Sequence, residues 1–451
     1  MPMHHSHEAL DRPGGLARVG LLVPLRDPEF RKLWLALCVS LLGDGAFLVA
    51  VAWKVYELSN SPTAMAIVGI AMTVPTIMFL LIGGVASDRF SRRALMVAAD
   101  LLRALAGAVL AGLALGGMLE VWHVAILAAI YGTGAAFFAP AFDAFVPEIV
   151  PAERLAPANA LDQLMRPLVL RMAGPALGGI LVAAGGAGLV FALDSATFLF
   201  SAAMLLLVRI PAAGMQSGSV SVVRDLAEGW RFVRGRAWLW ATFASAAVAY
   251  LCFMGPVEVL LPYLVKNDLG GSARDLGIVF AAGGLGSVAC ALAMGQRDIP
   301  RRGITFIYLT WTVATLAVAG YGLSSALWQL MLAALAFNAL ETAGTIVWAT
   351  MKQRHVPRAM LGRVSSLDWL ISIGLLPLSF ALTGPVAGAI GTRATLVAAG
   401  VVGAVVTCAA FLVPGVRDIE NEADESRRPR AASLGDIGAA GAASSGARKA
   451  A

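Results

Sequence analysis

Twelve apolar runs, each of twenty residues or more, divide this chain of 451 residues. Their approximate limits are 33–57, 63–87, 94–117, 121–144, 158–184, 188–209, 237–265, 272–294, 303–322, 325–349, 364–390 and 392–414. A helix rises 1.5 Å per residue, so each run is long enough to cross a hydrocarbon core of ~30 Å. The runs are continuously apolar rather than alternating, which excludes a membrane barrel. Hydrophobic residues make up 59% of the chain and charged residues 14%. A soluble domain carries roughly 45–50% and 25%, so a soluble enzyme and a disordered chain are excluded too. The expected fold class is an all-α membrane protein with twelve transmembrane helices.

Lys and Arg set the orientation. With both termini in the cytoplasm, 27 of the 34 basic residues fall on inner tails and loops. Only Lys54, Lys266, Arg274 and Arg393 fall outside, and Arg103, Arg166 and Arg171 lie within spans. This positive-inside bias accounts for the net charge of +6 without nucleic acid and turns the basic loops toward anionic membrane lipids. Residues 1–32 form an N-terminal tail, with the first run too deep and too long for a cleaved signal. His4, His5 and His7 lack an acidic or cysteine neighbour and are read as a solvated tail, so no metal and no cofactor are expected. Residues 415–451, rich in Ala, Gly, Ser and Arg, read as a disordered tail. Cys38, Cys252, Cys290 and Cys408 sit in apolar runs without CxxC spacing and read as small apolar residues.

The longest connection, 210–236, contains RDLAEGWRFVRG, an amphipathic stretch suited to the inner interface. It separates six spans (33–209) from six (237–414), and the halves echo each other. Residues 150–162, VPAERLAPANALD, match 356–368, VPRAMLGRVSSLD, at five of thirteen positions. Pro167, Gly174, Pro175 and Gly178 recur 210 residues later as Pro377, Gly384, Pro385 and Gly388. Two parallel six-helix repeats are expected, pseudo-symmetric bundles with a substrate site between them.

Between spans 2 and 3 stands Gly84-Val-Ala-Ser-Asp88-Arg89-Phe-Ser91-Arg92-Arg93. It is similar to the G-x-x-x-D-R-x-G-R-R signature of the major facilitator superfamily, with Ser91 at the usual glycine. Span 5 carries Gly174-Pro175-Ala-Leu-Gly178-Gly179, which resembles the antiporter signature G-P-x-x-G-G; Leu170 stands where a further glycine is usual. The arginine usual in span 4 of drug exporters is absent from 131–146. The strings GDGAFLVAVAWKVYELSNSP, FFAPAFDAFVPEIVPAERLAPANAL and VPRAMLGRVSSLDWL resemble the branch of enterobactin exporters and macrolide-type efflux proteins. The resemblance covers about residues 26–414 and implies secondary active transport of a small molecule out of the cell, coupled to proton entry. It also implies a bacterial inner membrane location and function as a monomer.

By the same resemblance Asp88 opposes the start of span 11 at Gly362-Arg363, where a carboxylate stabilises a helix N-terminus. Arg89, Arg92 and Arg93 pair with inner acids such as Asp143 or with lipid phosphate. Together with Gly84 these residues form a cytoplasmic gate; the bland alternative is a plain basic turn. Gly174, Pro175, Gly178 and Gly179, with Gly384, Pro385 and Gly388, admit close helix approach between bundles, span 8 being the expected neighbour of span 5.

An ionisable group in a span costs ~2.5–3.5 kcal/mol and needs a partner or a cavity. Asp100 and Arg103 are spaced i, i+3 and Asp162 and Arg166 i, i+4, so each pair shares a helix face. Both are read as buried ion pairs. Arg171, near midplane, has no local acid and is a candidate for the substrate cavity. Asp44, flanked by Gly43 and Gly45, is the first choice for proton coupling, since burial favours the neutral form of an acid. Glu341 and Glu258 are further candidates for proton carriage or cation recognition. Asp194 is assigned to the interface. Phe47, Trp53, Phe137 and Phe337 are candidates for lining the cavity, with packing as the commoner role of such rings. Two alternatives stay open: a dedicated exporter of a siderophore or other anionic metabolite, with Arg171 on the anion, and a non-transporting sensor or scaffold. No G-x-S-x-G, HExxH or P-loop motif supports an enzyme or ATP-driven transport.

Overall fold

The computed structural model describes residues 22–209, 222–296 and 300–421. Those residues are mostly helical, with no strand among them. The expected solvated histidines, most of the C-terminal tail and the side chain of Asp88 lie outside the described residues. Eleven helical stretches are long and apolar enough to span a membrane, and one of them, Pro157–Leu206, runs for 50 residues. At 1.5 Å per residue that is about 75 Å, more than twice a bilayer core. It turns back at Gly186, whose φ of +76° is left-handed backbone that glycine adopts freely. Two passes result, and with them twelve crossings.

The first six crossings are α1 (Pro28–Leu58), α2 (Pro62–Arg89), α3 (Arg92–Leu115), α4 (Val121–Ile149), then α5 (Ala152–Arg166) continued through a π-helical segment (Pro167–Ala173) into α6 (Gly174–Leu206), which holds the Gly186 turn. The short α7 (Val222–Arg234) precedes the second six. These are α8 (Ala237–Tyr263), α9 (Ala273–Gly295), α10 (Gly303–Leu323), α11 (Leu327–His355), the pair α12 (Arg358–Gly374) and α13 (Leu376–Ile390), and α14 (Thr392–Phe411). The duplicated prolines mark equivalent breaks. Pro167 opens the π segment and Pro377 opens α13, because proline lacks the amide hydrogen and crowds the preceding turn. Gly391, with φ +88°, makes the turn before α14 as Gly186 does before the sixth crossing.

An even number of crossings leaves both chain ends on one side, here named the terminal end. At the opposite, far end the bundles are joined. Tyr56 of α1 donates to the Val259 carbonyl of α8 at 2.5 Å, and Lys266 donates to the Tyr56 carbonyl. Gly69 of α2 lies under the Phe380 ring, and Gly384 of α13 lies on Thr63 of α2. The fifth crossing runs along α9: a Cβ on Gly179 would meet the Ala273 carbonyl at 2.6 Å and the Gly277 Cα at 3.0 Å. Gly174 and Gly178 instead receive α1, at Gly45 and Ala46. Pro385 and Gly388 differ from expectation. Both are exposed, and nothing lies within 4 Å of a Cβ on Gly388. Thr63, the contact of Gly384, is the second residue of α2, so one turn farther out there is no helix left to touch. At the terminal end, among the described residues, nothing lies within 4 Å of a Cβ on Gly84 or Gly362.

Residues 415–421 are not part of a disordered tail. Val416 is fully buried, and Glu420 accepts from the Thr305 amide and hydroxyl at 2.8 Å each. A carboxylate placed at the first turn of α10 satisfies an amide that has no partner within the helix.

Candidate functional site

Four helices of the first bundle converge on a polar centre within an apolar core. Asp44 comes from α1, Asp100 and Arg103 from α3, Tyr131 from α4, and Asp194 and Ser201 from the sixth crossing in α6. Asp100 is fully buried, and Arg103 and Asp194 are 5% and 1% exposed. Arg103 Nη2 donates to Asp100 Oδ1 at 2.5 Å, and Ser201 Oγ donates to Asp100 Oδ2 at 2.6 Å. Arg103 Nη1 lies 3.9 Å from Asp44 Oδ2. The guanidinium is sandwiched by rings, 4.8 Å from the Phe138 centroid and 4.2 Å from that of Phe198, a placement that favours a cation.

Tyr131 links the two remaining acids. Its hydroxyl bonds Asp44 Oδ1 and lies 3.3 Å from Asp194 Oδ2. A phenol has one hydrogen to donate. It serves one carboxylate, and the other bonds it only by donating a hydrogen of its own. Three aspartates face one arginine, so the fully ionised cluster would carry two negative charges. Burying such a charge is far costlier than holding a proton. Gly43 makes room for the cluster: a Cβ there would strike Asp194 Oδ1 at 2.5 Å.

Asp194, assigned to the interface from sequence, therefore belongs to the centre. Its helix starts at the Gly186 turn, so Asp194 stands eight residues in, about 12 Å deep. Phe47, expected to line a cavity, is 1% exposed and stacks on Tyr131 at 4.3 Å. It positions the phenol rather than facing a ligand. Phe137 stacks on Phe79 at 6.1 Å, and Trp53 lies 5.9 Å from the Lys266 ammonium.

The other charged residues are spread along the bundle interface. Asp162 accepts from Arg166 at 2.8 Å, but this pair is partly exposed rather than buried, with the Arg166 side chain 36% accessible. Arg171 sits on the π segment and is exposed, as is Glu258 of α8, and the two opposite charges lie within electrostatic reach of one another. Glu341 of α11 borders a cavity in the second bundle together with Phe337. A further ion pair escaped the sequence reading: Asp368 of α12 accepts from Lys352 and from Trp348 Nε1 at 2.8 Å. Asp368 is the repeat partner of Asp162, and that correspondence was the signal for it.

At the terminal end Ser91 replaces the signature glycine without strain. It is the N-cap of α3, with φ −57°, and its hydroxyl accepts from the Ala94 amide at 3.4 Å. Arg92 and Arg93 do not reach Asp143. Arg92 bonds Glu148 at 2.6 Å and the Ala144 carbonyl at 2.9 Å, and Arg93 bonds the Val208 carbonyl at 2.9 Å. Asp143 lies five residues before Glu148, roughly 140° round the helix, and faces the side of Arg166. Arg89 is exposed. Arg363 bonds Glu228 of α7 at 2.6 Å, where Gly229 lets α7 lie close to α12.

The known proteins that this chain is similar to include efflux proteins. The chain is similar to macrolide efflux protein A of Streptococcus pyogenes, 24% identical over 395 residues, covering 87% of this chain and 96% of that one. The multidrug efflux pump Tap of Mycolicibacterium fortuitum is 28% identical over 412 residues, covering 88% and 98%. The enterobactin exporter EntS of Shigella boydii is 30% identical over 358 residues, covering 75% and 80%. Among solved structures, a bacterial homologue of the iron transporter ferroportin in an inward-facing state superposes with a TM-score of 0.64 at 16% identity, covering 85% of this chain and 99% of that one. The nucleoside transporter NupG gives 0.60 at 12%, covering 84% and 98%; both share the fold. The profile of the transmembrane secretion effector family matches residues 19–436, and the chain belongs to that family of the major facilitator superfamily.

Proposed function

We propose that this protein exports small lipophilic molecules across the bacterial inner membrane in exchange for protons, by alternating access. The carrying observation is the cluster of three aspartates around Arg103, Asp100 and Asp194 buried and Asp44 partly so, with Tyr131 bridging Asp44 and Asp194. A site with more acids than bases holds at least one proton, and a change in that number alters the pull of Arg103 on Asp44. Asp44 sits on the same helix as Tyr56, twelve residues and about 18 Å away. Helix α1 thus connects the proton site to the far-end bond with Val259. Gly45 against Gly174, and Ala46 against Gly178, leave α1 a smooth track on the fifth crossing.

The positive-inside bias puts the terminal end, with both termini, in the cytoplasm beside anionic lipid. The far-end bonds and the open space around Gly84 and Gly362 then correspond to an inward-facing state. In the outward-facing state Asp88 closes on the start of α12. Protonation favours one state over the other, as coupling requires.

Everted vesicles test this reading. An imposed pH gradient drives dye or antibiotic uptake into wild-type vesicles, and Asp44→Asn abolishes the dependence. Uptake indifferent to the gradient in the wild type refutes proton coupling. Export of an anionic metabolite is the second reading, favoured by the exposed Arg171 at the interface. Arg171→Gln then cripples anion transport and spares cationic dyes.

A further inference from the structure

The second bundle holds a cavity of about 40 Å³ among α8, α10, α11 and α14. Tyr250, Phe253, Trp311 and Phe337 line it with rings, and Glu341 supplies its one carboxylate. Tyr250 meets Phe253 and Phe253 meets Phe337 edge to face, each at 5.5 Å. Glu341 Oε1 accepts from Thr345 at 3.1 Å, and no lysine or arginine pairs with Glu341 among the described residues. The cavity exceeds the ~10–15 Å³ that one water needs and is too small for a whole drug, so the rings around it must part to admit a methylated head group.

The internal repeat says what this cavity is. In the first bundle Phe47 stacks on Tyr131 beside Asp44. Adding 206 to each number gives Phe253, Phe337 and Tyr250, where Phe253 again meets its partner ring, edge to face rather than stacked, and Tyr250 replaces the carboxylate. The cavity is therefore the duplicate of the aspartate cluster. In the first copy the centre is filled by Arg103 among its three acids. In the second copy no basic side chain lines the space, and rings with a single acid surround it. An aromatic cage with one carboxylate has the chemistry that recognises alkylated ammonium, through the negative faces of the rings and one opposite charge. Tyr250 also lies in the field of Arg171 from the other bundle.

We propose that this pocket binds the alkylammonium head of a lipophilic amine, so that the duplicated bundles divide the work: the first carries the proton and the second the cargo. The proposal rests on the export reading above and names its substrate class.

The test is equilibrium binding to the purified full chain in nanodiscs, without any gradient. The probes are radiolabelled (2-naphthylmethyl)trimethylammonium and its uncharged carbon isostere. The wild type is expected to bind the cation at least tenfold more tightly than the isostere. Glu341→Gln is expected to lose that preference with isostere binding intact, Glu341→Asp to keep most of it, and Trp311→Leu to weaken the cation. Equal affinity of the wild type for the two probes overturns the proposal whatever the variants do. So does cation binding by Glu341→Gln as tight as the wild type's. Because no gradient is present, such a result leaves proton coupling standing. Conversely, gradient-independent uptake in vesicles leaves this binding result standing.

Discussion

Neutralising the acids of the buried cluster should separate the residue that holds Arg103 in place from those that exchange protons. Asp100 is bonded to Arg103 at 2.5 Å and to Ser201 at 2.6 Å. Asp100→Asn leaves a buried arginine with Asp44, at 3.9 Å, as its remaining ionic partner. Breaking a buried pair in this way costs about 3–5 kcal/mol. Asp44→Asn combined with Asp194→Asn has a different balance. At 3.9 Å the attraction lost between Asp44 and Arg103 is ~4 kcal/mol at an effective dielectric of about 20. Against it stand the several kcal/mol of desolvation that a buried carboxylate no longer suffers. The double variant retains the neutral Asp100–Arg103 pair, and its net change should stay within about 1–2 kcal/mol. Thermal melting of the purified protein and gradient-driven uptake in everted vesicles measure the two effects. Asp100→Asn should melt much earlier than the wild type. The double variant should melt near the wild type yet move substrate without regard to pH. A double variant that destabilises as much as Asp100→Asn, or that still follows the gradient, would refute the charge accounting.

Tyr56→Phe removes the far-end bond to Val259, worth about 1 kcal/mol. The outward-open population should rise about fivefold, read by spin-label distances between far-end loops; an unchanged distribution would mean the bond does not latch that end. Gly179→Leu puts a side chain against the Ala273 carbonyl and the Gly277 backbone, so transport should fall below a tenth of wild type with a lowered melting point. Retained transport there would show that this contact is not needed. Ser91→Ala removes the cap of α3 and should cost about 0.5 kcal/mol, and Ser91→Gly only a few tenths. A larger loss from the glycine variant would show that the turn depends on more than the cap.

How much was legible in advance depended on the range of the interaction. The crossings, the gap between the fifth and sixth runs that holds Gly186, and the repetition of Pro167 as Pro377 follow from hydrophobic length and residue order, and these are local in the chain. The pairs Asp100–Arg103 and Asp162–Arg166 were readable for the same reason, since neighbours three or four apart share a helix face. Which charges from different helices meet is a matter of rotation and depth, and one sequence does not encode these in any local pattern. Asp194 therefore read as interfacial, although its helix begins earlier and carries it about 12 Å inward. Phe47 read as a cavity ring, although helix rotation turns it onto Tyr131. Tyr131 gave no signal at all, because a lone tyrosine in an apolar run looks like packing until two carboxylates arrive from α1 and α6. Sequence alone determined a duplicated twelve-pass helical membrane protein, because burying apolar length and satisfying every backbone amide in lipid leave few other solutions. Only the tertiary structure decided that one copy of the repeat gathers three acids on one arginine while the other stays hollow. That difference arises from side chains far apart in the chain meeting in a single packed core.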